Sequence, residues 1–277
     1  MGDKFNKSAW LAAVAIFFGL FANFMRPVLL YANGNFYGEI KDMRGRVEIL
    51  KEEVKGVKTA VEGMPVQLND RIKTYANSSC NLEIDDGSII FIDANTEASV
   101  EMLEVTSERH NSKISLWIGR IVANITKLKN TKMELHAPTA IVAVRGTEFA
   151  VETTPDKTEV GVFNGQVGVK NSDKKIPDEV LLNPEEETSV APHAIPERPK
   201  YLSEVMKKNK ERNAALQERV KILKERLRRT TPEKRKIERE QALERFKKLK
   251  AKRAEQRKEL KMKRDSLKKG IDRRPGK

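Results

Sequence analysis

Asp85 and Asp86 are neighbours in the chain, and paired carboxylates are what general acid–base chemistry uses. Neighbours in a strand or turn point apart, so this pair lacks the shared direction that such work needs. Cys80 is the single cysteine. It sits in an alternating apolar segment, where a thiol reads as a small core residue, and alone it allows no internal disulfide. His110, His136 and His193 are far apart and have no metal-ligand spacing. The chain has no Gly-x-x-x-x-Gly-Lys-Ser/Thr phosphate loop and no Gly-x-Ser-x-Gly nucleophile elbow. The expectation is a non-catalytic protein without cofactor or metal.

The most informative stretch is residues 137–151, Ala-Pro-Thr-Ala-Ile-Val-Ala-Val-Arg-Gly-Thr-Glu-Phe-Ala-Val. Strict strand alternation puts Arg145 on one face with Ile141, Phe149 and Val151. Burying a guanidinium there is costly unless it is paired. A β-bulge at Gly146 removes the conflict, because one extra residue aligns Val142, Val144, Phe149 and Val151 and releases Arg145. An edge strand with an exposed arginine is the other reading.

Pro138, Ala140, Val144, Arg145, Gly146, Thr147 and Phe149 in this run resemble the signature of the FecR domain family. Three more elements are similar to that family's pattern, in the family's order: Gly63–Thr74, Asp86-Gly87-Ser88, and Leu116-Trp117-Ile118-Gly119-Arg120-Ile121. Asn69 stands where the family has glycine. The resemblance covers roughly residues 39–192. It implies a mainly β domain with a solenoid-like or jelly-roll-like wrap. It also implies a second role, transmembrane regulation of iron-uptake genes through a sigma factor. Regulators of that kind carry a cytoplasmic sigma-binding domain ahead of the membrane segment, and here about seven residues precede it, so a binding module is the preferred expectation.

The elements that would position these residues are short strands from Gly38 onward. Asp86-Gly87 is a two-residue hairpin signal between Leu82-Glu83-Ile84 and Ile89-Ile90-Phe91-Ile92. Asn164-Gly165 joins Val160-Gly161-Val162-Phe163 to Val167-Gly168-Val169, and both valine pairs can face one core. Short strands spaced by turns mean an all-β sandwich, barrel or solenoid.

Charge divides the chain of 277 residues. Residues 39–196 hold 19 Lys/Arg against 26 Asp/Glu, and residues 197–277 hold 32 against 13. The formal +14 therefore belongs to the C-terminal part, which points to an anionic partner and also lets the two parts attract each other. The expected domains are a leader (1–32), an all-β domain (33–190), a proline-rich linker (191–200) and a basic helical tail (201–277). In the tail, Leu216, Val220, Leu223 and Leu227 form one apolar stripe of a helix over 201–229. Thr231-Pro232 starts a second helix that runs to about Lys269. Arg226, Arg228, Arg229, Lys247, Lys248, Lys250, Lys252 and Arg253 are the candidate contacts to an anionic envelope polymer or lipid surface. The alternatives are a protein partner or self-association through the tail helices. Nucleic acid is disfavoured, since Tyr201 and Phe246 are the tail's only aromatics and stacking platforms are absent.

Eighteen uncharged residues lie between Lys7 and Arg26. As a helix they span ~27 Å, close to the bilayer's hydrocarbon thickness. Either a cleaved export signal ending at Ala32 or an anchor over residues 8–25 follows, and both place the rest outside the cytoplasm.

Overall fold

Two apolar patterns coexist in the strands. Ile89–Ile92, Ile121–Ala123, Phe149–Val151 and Val160–Phe163 are continuous apolar runs, as strands covered on both faces require. Residues 140–144 are apolar throughout yet fully buried only at alternate positions, and 167–171 carry an exposed Lys170 beyond the two core valines. The computed structural model, which describes residues 38–50, 57–105, 110–127 and 131–271, resolves this difference into two sheets. The expected leader lies outside the described residues.

In chain order the strands are β1 (Gly38–Arg44), β2 (Val47–Leu50), β3 (Val57–Thr59), β4 (Pro65–Val66), β5 (Arg71–Thr74), β6 (Ser79–Ile84), β7 (Ile89–Ile92), β8 (Glu97–Val105) and β9 (His110–Asn124). They continue as β10 (Thr131–His136), β11 (Ala140–Val144), β12 (Glu148–Thr153), β13 (Thr158–Asn164), β14 (Val167–Asn171), β15 (Glu179–Leu182), β16 (Glu186–Val190) and β17 (Lys200–Tyr201). Helices α1 (Glu204–Arg229) and α2 (Pro232–Ile271) follow.

The middle sheet runs β4-β1-β6-β7-β9-β12-β13-β16-β17. The outer sheet runs β3-β2-β5-β8-β9-β10-β11-β14-β15. Every described pairing is antiparallel except β9–β10. Beyond β5 the chain advances in the same direction along both sheets, so the sandwich is wound progressively and mainly β, as the sequence implied. One core fills the space between the sheets. Ile40, Leu82, Ile121, Phe149 and Val151 meet Ile49, Ile72, Leu116, Val142 and Leu135 there.

Strand β9 belongs to both layers. Its first half pairs with β8 and β10, and from Gly119 onward it pairs with β7 and β12. Gly119 makes the crossing at φ +97°, and a Cβ there would lie 2.6 Å from the Thr96 Cα, so only glycine fits.

A second crossing corrects the bulge expected at Gly146. Strand β11 ends at Val144 in the outer sheet, and β12 begins at Glu148 in the middle sheet. Arg145-Gly146-Thr147 is therefore a corner between sheets. Val142, Val144, Phe149 and Val151 do share the core, and Arg145 is exposed. Turning a corner achieves what the bulge was invoked to do. Gly146 has φ +68°, and a Cβ there would sit 2.6 Å from the Lys127 Cα.

Of the two expected turns, Asn164-Gly165 joins its valine pairs over one core as expected, and Asp86-Gly87 differs. Asn164-Gly165 is another corner, because β13 and β14 lie in opposite sheets. Val160, Val162, Val167 and Val169 nonetheless face one core. The β6–β7 hairpin has a three-residue loop, Asp85-Asp86-Gly87, closed by Ile84 N–H to Ser88 O at 2.9 Å. Gly87 has positive φ and Asp86 does not, which excludes the two-residue primed turn.

The largest correction concerns the C-terminal part. The proline-rich segment is not a free spacer. Asn171 Nδ2 donates to Ala191 O and Ala194 O at 3.0 and 2.7 Å, and Glu197 N–H donates to Ser189 O at 2.9 Å. Helix α1 then lies on the open face of the middle sheet. Leu202, Met206, Leu216, Val220 and Leu223 form a second core with Ile89, Val122, Ala150 and Phe163. The described strands and helices fall in one compact unit. Each such buried aliphatic side chain contributes ~1.5–3 kcal/mol, so α1 is a structural layer of the domain.

Candidate functional site

Arg212, Arg219 and Arg226 recur every seven residues beside the apolar stripe of α1, so all three face the sheet along the same flank. Arg212 Nη1 reaches Asp93 Oδ2 at 2.7 Å and lies over the Phe91 ring. Arg219 Nε meets Glu83 Oε1 at 2.6 Å and Asp42 Oδ2 at 3.1 Å. Arg226 spans Glu39 and Glu83 at 2.7 and 3.0 Å. Glu83 is almost fully buried and is paired with both of these arginines. Burial works against the Arg219 cation, but Glu83 and Asp42 outweigh it and its pKa ends above the ordinary arginine value.

Helix α2 begins with the same device. Thr231 Oγ1 accepts from Lys234 N–H at 3.3 Å, the expected cap. Arg239 grips Asp85 with both terminal nitrogens at 2.5 Å, and Arg235 donates to Thr230 O at 2.6 Å at the end of α1. The Asp85–Asp86 pair is thus divided between two structural tasks. Asp85 holds α2, and Asp86 Oδ1 accepts from Ser88 N–H at 2.7 Å within its own turn. Nothing in this arrangement directs both carboxylates at one point.

The expected anionic-partner residues separate into two groups. Arg226 is committed to Glu39 and Glu83. Arg228 and Arg229 are exposed and lie near Glu225, at 4.0 and 2.9 Å. Lys247 is exposed and pairs with Glu244, and Lys248 and Lys252 are exposed. Lys250 and Arg253 belong to α2, and their side chains lie outside the described residues. Phe246 still packs against the main core. Among the described side chains of residues 247–264 every one is exposed. That stretch holds ten Lys/Arg against two Glu. It forms a basic arm that the domain itself does not cover.

The remaining sequence candidates are structural in placement. Cys80 is fully buried, and burial, with the Glu62 charge adding to it, pushes its thiol up to about 12. His136 lies 2.9 Å from Glu134, and His193 lies 3.0 Å from Asp173. The His110 side chain lies outside the described residues. Pro138 is exposed at the β10–β11 turn, where its carbonyl accepts from Ser172 Oγ at 2.6 Å. Ala140 and Thr147 are buried. The seven-residue arginine spacing was legible in the sequence and is the feature that motif reading passed over. Among the described residues, no helix is long and apolar enough to cross a membrane.

The FecR protein family model matches residues 70–168. That span is narrower than the expected 39–192, but it contains the Asp86–Ser88 turn, the Gly119 crossing, the signature corner and Asn164-Gly165. Two crystal structures of a candidate anti-sigma factor from Parabacteroides distasonis, at 2.50 and 1.65 Å, are similar to this chain. Each has 20% identity and a TM-score of 0.40, covering 47% of this chain and 59% of the other. The chain thus spans about three fifths of the length of the solved protein it matches. No curated protein matches it. Both corners, at Gly119 and Gly146, lie within the stretch that matches the FecR protein family model, residues 70–168.

Proposed function

We propose that this chain is a non-catalytic binding or assembly module of the bacterial cell envelope, working outside the cytoplasm. The FecR domain and α1 form its rigid body, and the exposed half of α2 engages an anionic polymer. The observation that carries this reading is the basic arm at residues 247–264, ten cations against two carboxylates with all described side chains exposed. At 100° per residue those cations project from every side of the helix. A helix lying in a bilayer surface needs a continuous apolar face. Here only Leu249, Leu260 and Met262 are available, and Met262 points away from the two leucines. Cations on all sides suit a flexible polyanion better than a flat lipid surface. The leader supports the extracytoplasmic placement.

The test is titration of fluorescent polyphosphate with the full chain and with a Lys247→Gln, Lys248→Gln, Lys252→Gln variant. The variant should bind at least about tenfold more weakly and show a shallower dependence on salt. Equal binding by both proteins would refute the role of the arm. Vesicles of phosphatidylglycerol that outcompete the polymer would move the assignment to lipid. For location, a reporter enzyme active only outside the cytoplasm, joined after residue 37, should be active.

A further inference from the structure

The outer sheet has a face that α1 does not cover, and it carries a continuous row of three cations and two aromatic rings. The Arg46 guanidinium lies 4.2 Å from the centroid of the Tyr75 ring, and Lys73 Nζ lies 5.9 Å from the same ring. Lys73 and Arg71 share Glu97, at 3.2 and 2.8 Å. Arg71 in turn stacks on Trp117 at 4.6 Å. The row crosses β2, β5, β8 and β9, from Arg46 to Trp117.

Two features distinguish this row from an ordinary solvated face. The first is the direction of charge. Side-chain exposure is 64% for Arg46, 43% for Lys73 and 36% for Arg71, whereas Glu48 and Glu97 are at 11% and 18%. The carboxylates lie beneath and hold the cations, so what faces outward is positive. The second is the position of Trp117. Its register steps from Glu97↔Ile118 to Ala98↔Leu116, which leaves Trp117 as the extra residue of a β-bulge. A bulge re-aims a side chain. Trp117 and its neighbour Ile118 are both exposed, at 50% and 44%. Exposed tryptophan and arginine are also the residue types that dominate binding energy at interfaces.

We infer that this row is a binding surface for an acidic glycan, with uronate-type carboxylates meeting Arg46, Lys73 and Arg71 and the apolar faces of sugar rings lying against Trp117 and Tyr75. Charge complementarity selects an anionic partner, and flat rings interleaved with the cations favour one built of rings. The inference stands apart from the basic arm, and its test separates the two.

The chain has two tryptophans, Trp10 and Trp117. In a Trp10→Phe background, Trp117 alone reports binding by fluorescence. Oligogalacturonate should shift that emission, and neutral dextran should not. By calorimetry, Trp117→Ala and Arg71→Ala should each weaken oligogalacturonate binding about tenfold, and Trp117→Phe should restore much of it. Lys247→Gln, Lys248→Gln, Lys252→Gln should leave the Trp117 shift in place even if the arm reading fails. No emission shift, or unchanged affinity in both alanine variants, would overturn the inference. Tighter binding of a single-stranded oligonucleotide than of oligogalacturonate at this row would also overturn it.

Discussion

Replacing Leu216 by alanine tests whether α1 is a layer of the domain or a solvated tail. Leu216 lies in the second core beneath the helix, 7% exposed, between Met206 and Val220 on one stripe. The change removes three carbons, a transfer loss of ~2.4 kcal/mol at ~0.8 kcal/mol per methylene. The Arg212 and Arg219 ion pairs, one before and one after Leu216 along the helix, keep it from settling into the gap, and a cavity cost adds to the loss. The total expected is ~3 kcal/mol, inside the usual range for buried leucine. With a urea slope of ~2–3 kcal/mol per molar, the unfolding midpoint should fall by ~1 M. Near-ultraviolet and far-ultraviolet circular dichroism should report one coincident transition, because strands and helix belong to one unit. Ile222 on the opposite side of α1 is 55% exposed, and Ile222→Ala should stay within ~0.5 kcal/mol. If Leu216→Ala matched Ile222→Ala, or if the helical signal melted before the β signal, the packing argument would be refuted.

Glu83→Gln should cost ~3 kcal/mol, since it leaves Arg219 and Arg226 short of their buried partner, and Arg219→Lys should recover little of the two-point geometry; urea midpoints decide both. Gly146→Val should destabilise by ~1–3 kcal/mol through positive φ and the collision with Lys127, whereas Arg145→Ala, an exposed change, should leave the midpoint within ~0.5 kcal/mol. Cys80 should resist iodoacetamide at pH 8 in the folded chain and react on unfolding, as burial holds its pKa near about 12; prompt native-state labelling followed by mass spectrometry would contradict that. Acid should weaken the fold. Glu48 is held below the ordinary carboxylate value by the Tyr75 hydroxyl and then Arg46, and Glu101 by Ser115 and then Lys113. A depressed folded pKa stabilises above the unfolded value of about 4.3 and loses that contribution as pH falls through the folded one. Urea midpoints should therefore be flat from about pH 6 to 8 and drop below about pH 4.

The strands and the composition of the core were legible because strand patterns are local. Val142, Val144, Phe149 and Val151 could be placed on one side of the chain before any sheet was known. Assigning strands to sheets was not legible, because a corner and a hairpin use the same residues. Asn164-Gly165 carries a strong hairpin signal yet turns the chain from one sheet to the other, and only the partners of β13 and β14 reveal which. The covered face of the middle sheet left only a weak trace: Ile89-Ile90-Phe91-Ile92 and Phe149-Ala150-Val151 are apolar at every position, but so are residues 140–144 of the outer sheet. A sheet with one wet face does not need Ile89 or Ala150 to be apolar. The proline-rich segment misled because its composition is that of a spacer, whereas its backbone is stitched down by Asn171, a residue 20 positions away from Ala191. The opposite charges of the two halves did foretell their attraction, which Arg212, Arg219, Arg226 and Arg239 now account for.

The α1 stripe also explains why this helix is a strap and not a zipper. Met206, Asn209, Asn213, Leu216, Val220, Leu223 and Leu227 follow the three–four spacing of a coiled coil. In a parallel pair of such helices, the flank holding Arg212, Arg219 and Arg226 would face the flank holding Lys210, Gln217 and Lys224. Cations would then meet cations or a neutral amide along the whole length. The middle sheet instead offers Asp93, Glu83, Asp42 and Glu39 to that arginine flank. Lys210 finds Glu185, and Gln217 finds Glu148. The same charges that repel a second α1 select the sheet, so self-association through this helix would require giving up four carboxylate partners. Asn209 and Asn213 limit the grip. Each leaves its side-chain carbonyl oxygen buried without a hydrogen bond in the described structure, at a cost of ~1–3 kcal/mol each. The strap is therefore held by leucines at one end, arginines along its flank and Glu187 at its start, where Ser203 N–H and Oγ–H both donate to the carboxylate at 2.9 Å. Fixing both ends of α1 fixes where α2 begins, and so fixes where the basic arm leaves the domain.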